Sequence, residues 1–145
     1  MAKAISIDPG FFKCGLVIVD ITKKKVCEAE VIRSIYILSR IKKIYKKENN
    51  IKCLIGNGTS SQKYVNDLNK FIPNLIVVDE SDSTFRAKQR YFEIFPLKGL
   101  QFLLPKEIFI LNKNLDALAA LIIMEDYYKC KFEINESINI KTWLK

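Results

Sequence analysis

Histidine is absent from the 145-residue chain, which removes the imidazole that Ser–His and Cys–His catalytic sites depend on. Cysteine is scarce: Cys14, Cys27, Cys53 and Cys130 stand singly, with none of the paired spacing of a structural zinc site. No apolar run approaches the ~20 residues needed to cross a bilayer. Lys3 is followed at once by a strand-like segment carrying an acid, not by the apolar stretch of a signal peptide. These absences leave carboxylates as the main chemical tools, with Mg²⁺ or Mn²⁺ as their partner in an enzyme, and point to a reducing, cytoplasmic setting with no membrane contact.

What is present is positive charge. The formal net charge is +8 and the isoelectric point is near 9.3, a balance that favours polyanions such as nucleic acid. The chain is also rich in Ile, Lys and Asn, as AT-biased coding produces, so its basicity is supporting evidence only. At this length one domain with a real core is expected.

Residues 3–8 and 14–20 read as strands joined by the tight Pro9-Gly10 turn, and Val26 to Ile32 follows as a third, giving an antiparallel meander. From Ser34 to Lys47 the apolar residues Ile37, Leu38, Ile41, Ile44 and Tyr45 recur at helical spacing. Lys52 to Ile55 is a short strand ending in Gly56-Asn57-Gly58, after which Thr59 or Ser60 caps a helix. Leu75 to Val78 is continuous and apolar, as in a strand covered on both sides. It ends in Asp79 and Glu80. Ser83 or Thr84 starts another helix to about Phe95, and Pro96 to Pro105 reads as a surface loop. A mostly apolar helix then begins near Asn114 and carries Asp116 in its first turn. The tail from Phe132 alternates through Ile134, Ile138 and Ile140 to Trp143, a pattern open to an extra strand or a hairpin. The order predicts an α/β chain: a mixed sheet, three-strand antiparallel meander plus two parallel strands, with helices on both faces.

Strands one, four and five then end on the same side, bringing Asp8, the Gly56 loop and Glu80 together. Asp116 joins them from the start of the last helix. Each acid has a plainer role open to it: Asp8 as a turn residue, Glu80 as a loop carboxylate, Asp116 as a favourable charge at a helix N-terminus. Clustered carboxylates, however, repel one another unless a divalent cation neutralises them. Two such ions suit phosphodiester hydrolysis, one activating water and the other stabilising the leaving oxygen. Asp8, Glu80 and Asp116 are therefore the candidate catalytic and metal-ligating residues, with Asp79 as the alternative to Glu80, since adjacent strand-end residues point oppositely.

The run Ile7-Asp8-Pro9-Gly10, with Gly15 and Asp20, resembles the first motif of the RuvC-like branch of the RNase H superfold. Asp79-Glu80-Ser81-Asp82-Ser83-Thr84-Phe85-Arg86-Ala87 is similar to the Asp-Glu-Arg-x-Ser/Thr-Thr-x-Glu-Ala motif of its YqgF group, the pre-16S rRNA processing nucleases. Leu115-Asp116-Ala117-Leu118-Ala119-Ala120-Leu121-Ile122-Ile123 resembles that group's final helix. The resemblance spans most of residues 3–129. It implies an RNase H-like nuclease domain over residues 1–131, with 132–145 as a C-terminal extension of unknown role. It further implies metal-dependent cleavage of structured nucleic acid, ribosomal RNA precursor first and a Holliday junction as the alternative. The chain departs from the pattern at Ser81, where the group has Arg, at Arg86, where it has Glu, and at Lys113, where junction resolvases carry a second Asp. Those departures keep open an inactive nucleic-acid-binding relative.

Phosphate contacts in such a protein come from cations and helix N-termini. Phe12, Lys13, Ser60, Arg86 and Arg90 are the candidate nucleic-acid-binding residues, each equally able to be ordinary surface. A homodimer would suit a junction substrate, which needs paired cuts.

Overall fold

Alternation along the first strand sets the architecture. In the computed structural model, which describes residues 2–58, 60–109 and 115–134, β1 (Lys3–Asp8) is buried on both faces. Ala4 packs into one core with Val17, Val19 and Leu54, while Ile5 and Ile7 pack into a second with Leu16, Ile18, Cys53 and Ile55. Successive side chains of a strand point to opposite faces, so two cores demand cover on both sides of the sheet. The meander continues through β2 (Lys13–Asp20) and β3 (Lys25–Arg33). Next come α1 (Ile37–Lys47), β4 (Lys52–Gly56), α2 (Ser61–Leu68), β5 (Leu75–Val78), α3 (Ser83–Ile94) and α4 (Asp116–Tyr128).

The strand order is β3-β2-β1-β4-β5. β1–β2 and β2–β3 pair antiparallel, and β4 and β5 run parallel to β1. A meander extended by two parallel strands beyond a central β1 is the mixed sheet expected from the sequence. One face is closed by α1 and α2 through Ile37, Ile41, Ile44, Tyr64 and Leu68. The other is closed by α4, with Ala87 and Tyr91 of α3 packed into the same core. α4 is buried from Ala117 to Glu125 on every side, which accounts for a helix apolar all round, without a polar stripe.

The structure differs from expectation in three places. β5 is an edge strand, and Val77 is 50% exposed; its apolar run is not matched by cover on both sides. A 3₁₀ turn, Ser34–Tyr36, precedes α1. The Pro96–Pro105 stretch, read as a plain loop, holds a second such turn over Gly99–Leu103, followed by a third over Lys106–Phe109.

Lys113, Asn114, Thr59 and the tail residues Ile138, Ile140 and Trp143 lie outside the described residues. Phe132 is fully buried in the α4 core. Glu133 pairs in parallel with Lys25, its N–H donating to the Lys24 carbonyl at 2.8 Å. Among the described residues, no helix is long and apolar enough to cross a membrane.

Candidate functional site

Asp8 is the last residue of the central strand, and its neighbours at that level are both glycines. Gly15 of β2 is its antiparallel partner. On the β4 side, Ile7 pairs with Ile55, which sets Gly56 beside Asp8. The carboxylate thus stands between two strand positions that carry no side chain of their own, on the face that Ala4 and Leu54 turn toward α4. The ends of the parallel strands, where open α/β sheets place their chemistry, are where it emerges.

Both glycines are required by what approaches them. A Cβ on Gly15 would fall 1.8 Å from the main-chain oxygen of Asp116, so only glycine lets the first turn of α4 press onto the sheet. A Cβ on Gly56 would fall 2.2 Å from Glu80 Oε2 and 2.9 Å from Ile123 Cδ1. The two clashes differ in kind. Backbone cannot step aside, whereas the end of a glutamate side chain can. Gly15→Ala is therefore expected to cost ~1–3 kcal/mol by overpacking, with a smaller loss for Gly56→Ala. Calorimetric unfolding ranks the two, and a Gly15→Ala protein as stable as wild type would show that α4 does not bear on the strand.

Glu80 is aimed by Asn57. The Asn57 N–H donates to the Val78 carbonyl at 3.0 Å, its Oδ1 accepts from the Glu80 N–H at 3.1 Å, and its amide donates to Asp79 Oδ1 at 3.4 Å. Asp79 is held outward in solvent. Glu80 turns inward, where a Cβ on Gly58 would meet its Oε1 at 2.3 Å. Of the two adjacent acids, Glu80 is the one whose charge reaches Asp8.

The electrostatics follow from this crowding. Burial pushes Asp8 up to about 8 from its ordinary 3.8, and the nearby charges of Glu80 and Asp116 push the same way. Burial likewise raises Glu80. Glu80 Oε2 is buried and accepts no hydrogen bond, although the Asp8 carboxyl lies within hydrogen-bonding reach of Glu80. With both carboxylates ionised neither can donate, so a bond between them exists only when one holds a proton. Among the described residues, no set of three acidic, cysteine or histidine side chains is arranged as a ready-made metal cage. The three carboxylates interact without converging on one point.

The other residues singled out from the sequence divide into two groups. Phe12 and Lys13 lie in and just after the β1–β2 turn and are exposed. Ser60 stands at the start of α2, and its side chain makes no cap hydrogen bond. Arg86 and Arg90 lie elsewhere, in an open cleft of about 390 Å³ between α3 and the far end of α4. Arg86 is ion-paired with Asp126. Arg90, 12% exposed, binds Glu125 Oε1 at 3.0 Å and the Phe132 carbonyl at 2.9 Å. Ten residues of helix separate Asp116 from Asp126, ~15 Å along the axis. Asn57 and the glycine neighbours of Asp8 are parts of the site whose roles the motifs did not reveal. Asn57 between two glycines at a strand end was the available signal.

No protein-family model matches the chain, and no curated protein matches it. Among solved structures it is similar to T. thermophilus RuvC, determined in complex with a Holliday junction substrate, at 16% identity and a TM-score of 0.48. That match covers 89% of this chain and 96% of the other.

Proposed function

We propose that the chain is a metal-dependent nuclease that hydrolyses phosphodiester bonds in structured nucleic acid, with ribosomal RNA precursor of the 16S maturation type as its first substrate. The observation that carries this reading is the electrostatic coupling of Asp8 to Glu80 and Asp116 near the ends of the parallel strands, with a buried carboxylate oxygen of Glu80 that accepts no hydrogen bond. Hard oxygen donors brought this close together fit Mg²⁺ or Mn²⁺.

Asp8, Glu80 and Asp116 would hold the ion. When bound, it supplies Lewis-acid polarisation of a phosphate oxygen and a water acidified for attack. The chain's own residues supply position. Asn57 fixes the Glu80 backbone, Gly15 seats the start of α4 and with it Asp116, and Gly56 leaves room for the Glu80 carboxylate. Lys13 and the Ser60 hydroxyl offer phosphate contacts at the same end of the sheet. Arg90 is engaged inside the protein and is left out of this role.

Cleavage of labelled single strands, duplexes, a 16S leader fragment and a four-way junction, by wild type and Glu80→Gln in Mg²⁺, Mn²⁺ and EDTA, tests the proposal. Cutting that needs metal and is lost in Glu80→Gln is expected, with the leader fragment preferred. Preference for the junction would replace the substrate and favour a resolvase acting as a homodimer. No cutting of any substrate would overturn the enzyme reading and leave an inactive nucleic-acid-binding protein, the outcome to which the departures at Ser81 and Arg86 point.

A further inference from the structure

The turn between β1 and β2 shows its two largest apolar side chains to water. Phe11 and Phe12 are 77% and 76% exposed and meet edge to face, ring centroids 4.7 Å apart. Ile35 and Tyr36, also exposed, follow Ser34, the residue hydrogen-bonded to this turn. The display is rigid. Three consecutive main-chain carbonyls are tied down: Gly10 accepts from the Tyr64 hydroxyl at 2.7 Å, Phe11 from Ser34 Oγ at 3.0 Å, and Phe12 from the Ser34 N–H at 2.8 Å. A turn held this firmly, three residues from Asp8, presents its aromatic rings without the entropy cost of ordering a loose loop.

Beside it stands a pair of like charges. Lys13 and Arg33 are direct cross-strand partners, an arrangement that is unfavourable unless an anion lies between or above them. Among the described residues neither takes part in an ion pair. Lys13 is two residues from Gly15 and therefore on the face of the sheet that bears Asp8 and Asp116, ~7 Å beyond them along the strand.

We infer that the Phe11–Phe12 turn and the Lys13–Arg33 pair form one binding site for unpaired nucleotides, the rings stacking on exposed bases and the cations holding the adjoining phosphates. Only a single-stranded segment offers both chemistries at once. A duplex presents phosphates but keeps its base faces stacked inside, leaving nothing for the phenylalanines to cover. The site thereby selects strands that are frayed, bulged or branched next to the bond to be cut, a selectivity whose placement rests on the nuclease reading above.

The test is equilibrium binding in EDTA, by anisotropy, of labelled 15-nucleotide oligo(dT), oligo(rU) and a blunt 15-base-pair duplex. Phe11→Ala/Phe12→Ala is expected to weaken the single strands by ~10-fold or more, with the duplex changed less than about 2-fold. The Tyr/Tyr variant should restore wild-type binding. Lys13→Ala/Arg33→Ala should reduce the salt slope for single strands by ~1.4. Whichever oligonucleotide binds more tightly assigns the site to DNA or to RNA, and either supports the inference.

Equal losses on strand and duplex, or no loss, would overturn it. So would a wild-type dimer in sedimentation that the alanine pair abolishes with strand binding intact, which would assign the patch to a second copy of the chain. Because no cleavage is read, failure here leaves the nuclease reading standing. A protein that cuts nothing can still show the strand preference.

Discussion

Asp8→Asn is expected to abolish metal-dependent cleavage, by on the order of a thousandfold, and at the same time to raise the melting temperature of the protein in EDTA. The two effects share one cause. Burial and the charges of Glu80 and Asp116 hold the Asp8 carboxyl at about 8, well above its ordinary 3.8. Between those values the folded protein keeps a proton that the unfolded chain has released. Folding stability without metal therefore falls as pH rises through that window, and below it nothing is lost. Asparagine keeps the shape, removes the charge and brings an N–H₂ toward the unpartnered Glu80 oxygen.

The stabilisation by Asp8→Asn should be largest at pH 8 and vanish near pH 4. Saturating Mg²⁺ should narrow the gap, because a cation at ~100 times its Kd adds ~2.7 kcal/mol to the wild type alone. Thermal melts of both proteins at pH 5 and 8, with EDTA and with Mg²⁺, read every part of this. A variant less stable than wild type at pH 8 in EDTA would show that the three acids are not a repelling cluster.

Arg90→Met is expected to destabilise the fold by ~3–5 kcal/mol, the largest stability loss of any change discussed. Arg90 and Glu125 are 12% and 8% exposed. Glu125 Oε1 accepts from both Nε and Nη2 of Arg90 and from the Phe132 N–H at 3.1 Å. Burial already raises the Glu125 pKa, with Phe132 and Arg90 opposing it. Removing the guanidinium strands a buried carboxylate and leaves the Phe132 carbonyl short of a donor. Arg86→Met breaks a pair whose members are about one-third exposed, and should cost ~1 kcal/mol or less. Urea unfolding of the two variants compares them directly. Equal losses would mean that burial does not distinguish the two arginines.

The contrast between Arg86 and Arg90 also marks what the sequence could and could not convey. Strand ends and acids were legible because they are local: an apolar run ending in Asp8, another ending in Asp79-Glu80, and Asp116 opening an apolar helix. Parallel order then aligned them. Which arginine faces solvent depends on Glu125, 35 residues away, and no local pattern carries that. The same holds for β5, whose four apolar residues read alike in the middle of a sheet or at its edge. Nor does strand alternation choose between Asp79 and Glu80, because both lie past the last paired residue. Hydrogen bonds with Asn57, on a different strand end, orient that turn: its amide donates to Asp79 and its Oδ1 accepts from the Glu80 N–H.

Asp116 opens the helix that fills the centre of the protein, and this has a consequence for how the molecule fails. A catalytic acid on a surface loop can drift away while the rest of a protein stays intact. Here the residues immediately following Asp116 are buried continuously to Glu125, and its main chain lies against the central sheet at Gly15. No partial opening removes that carboxylate and keeps the core, so the amides after it should exchange only through global unfolding. Loss of the Asp116 carboxylate from the site is thereby tied to loss of the core itself.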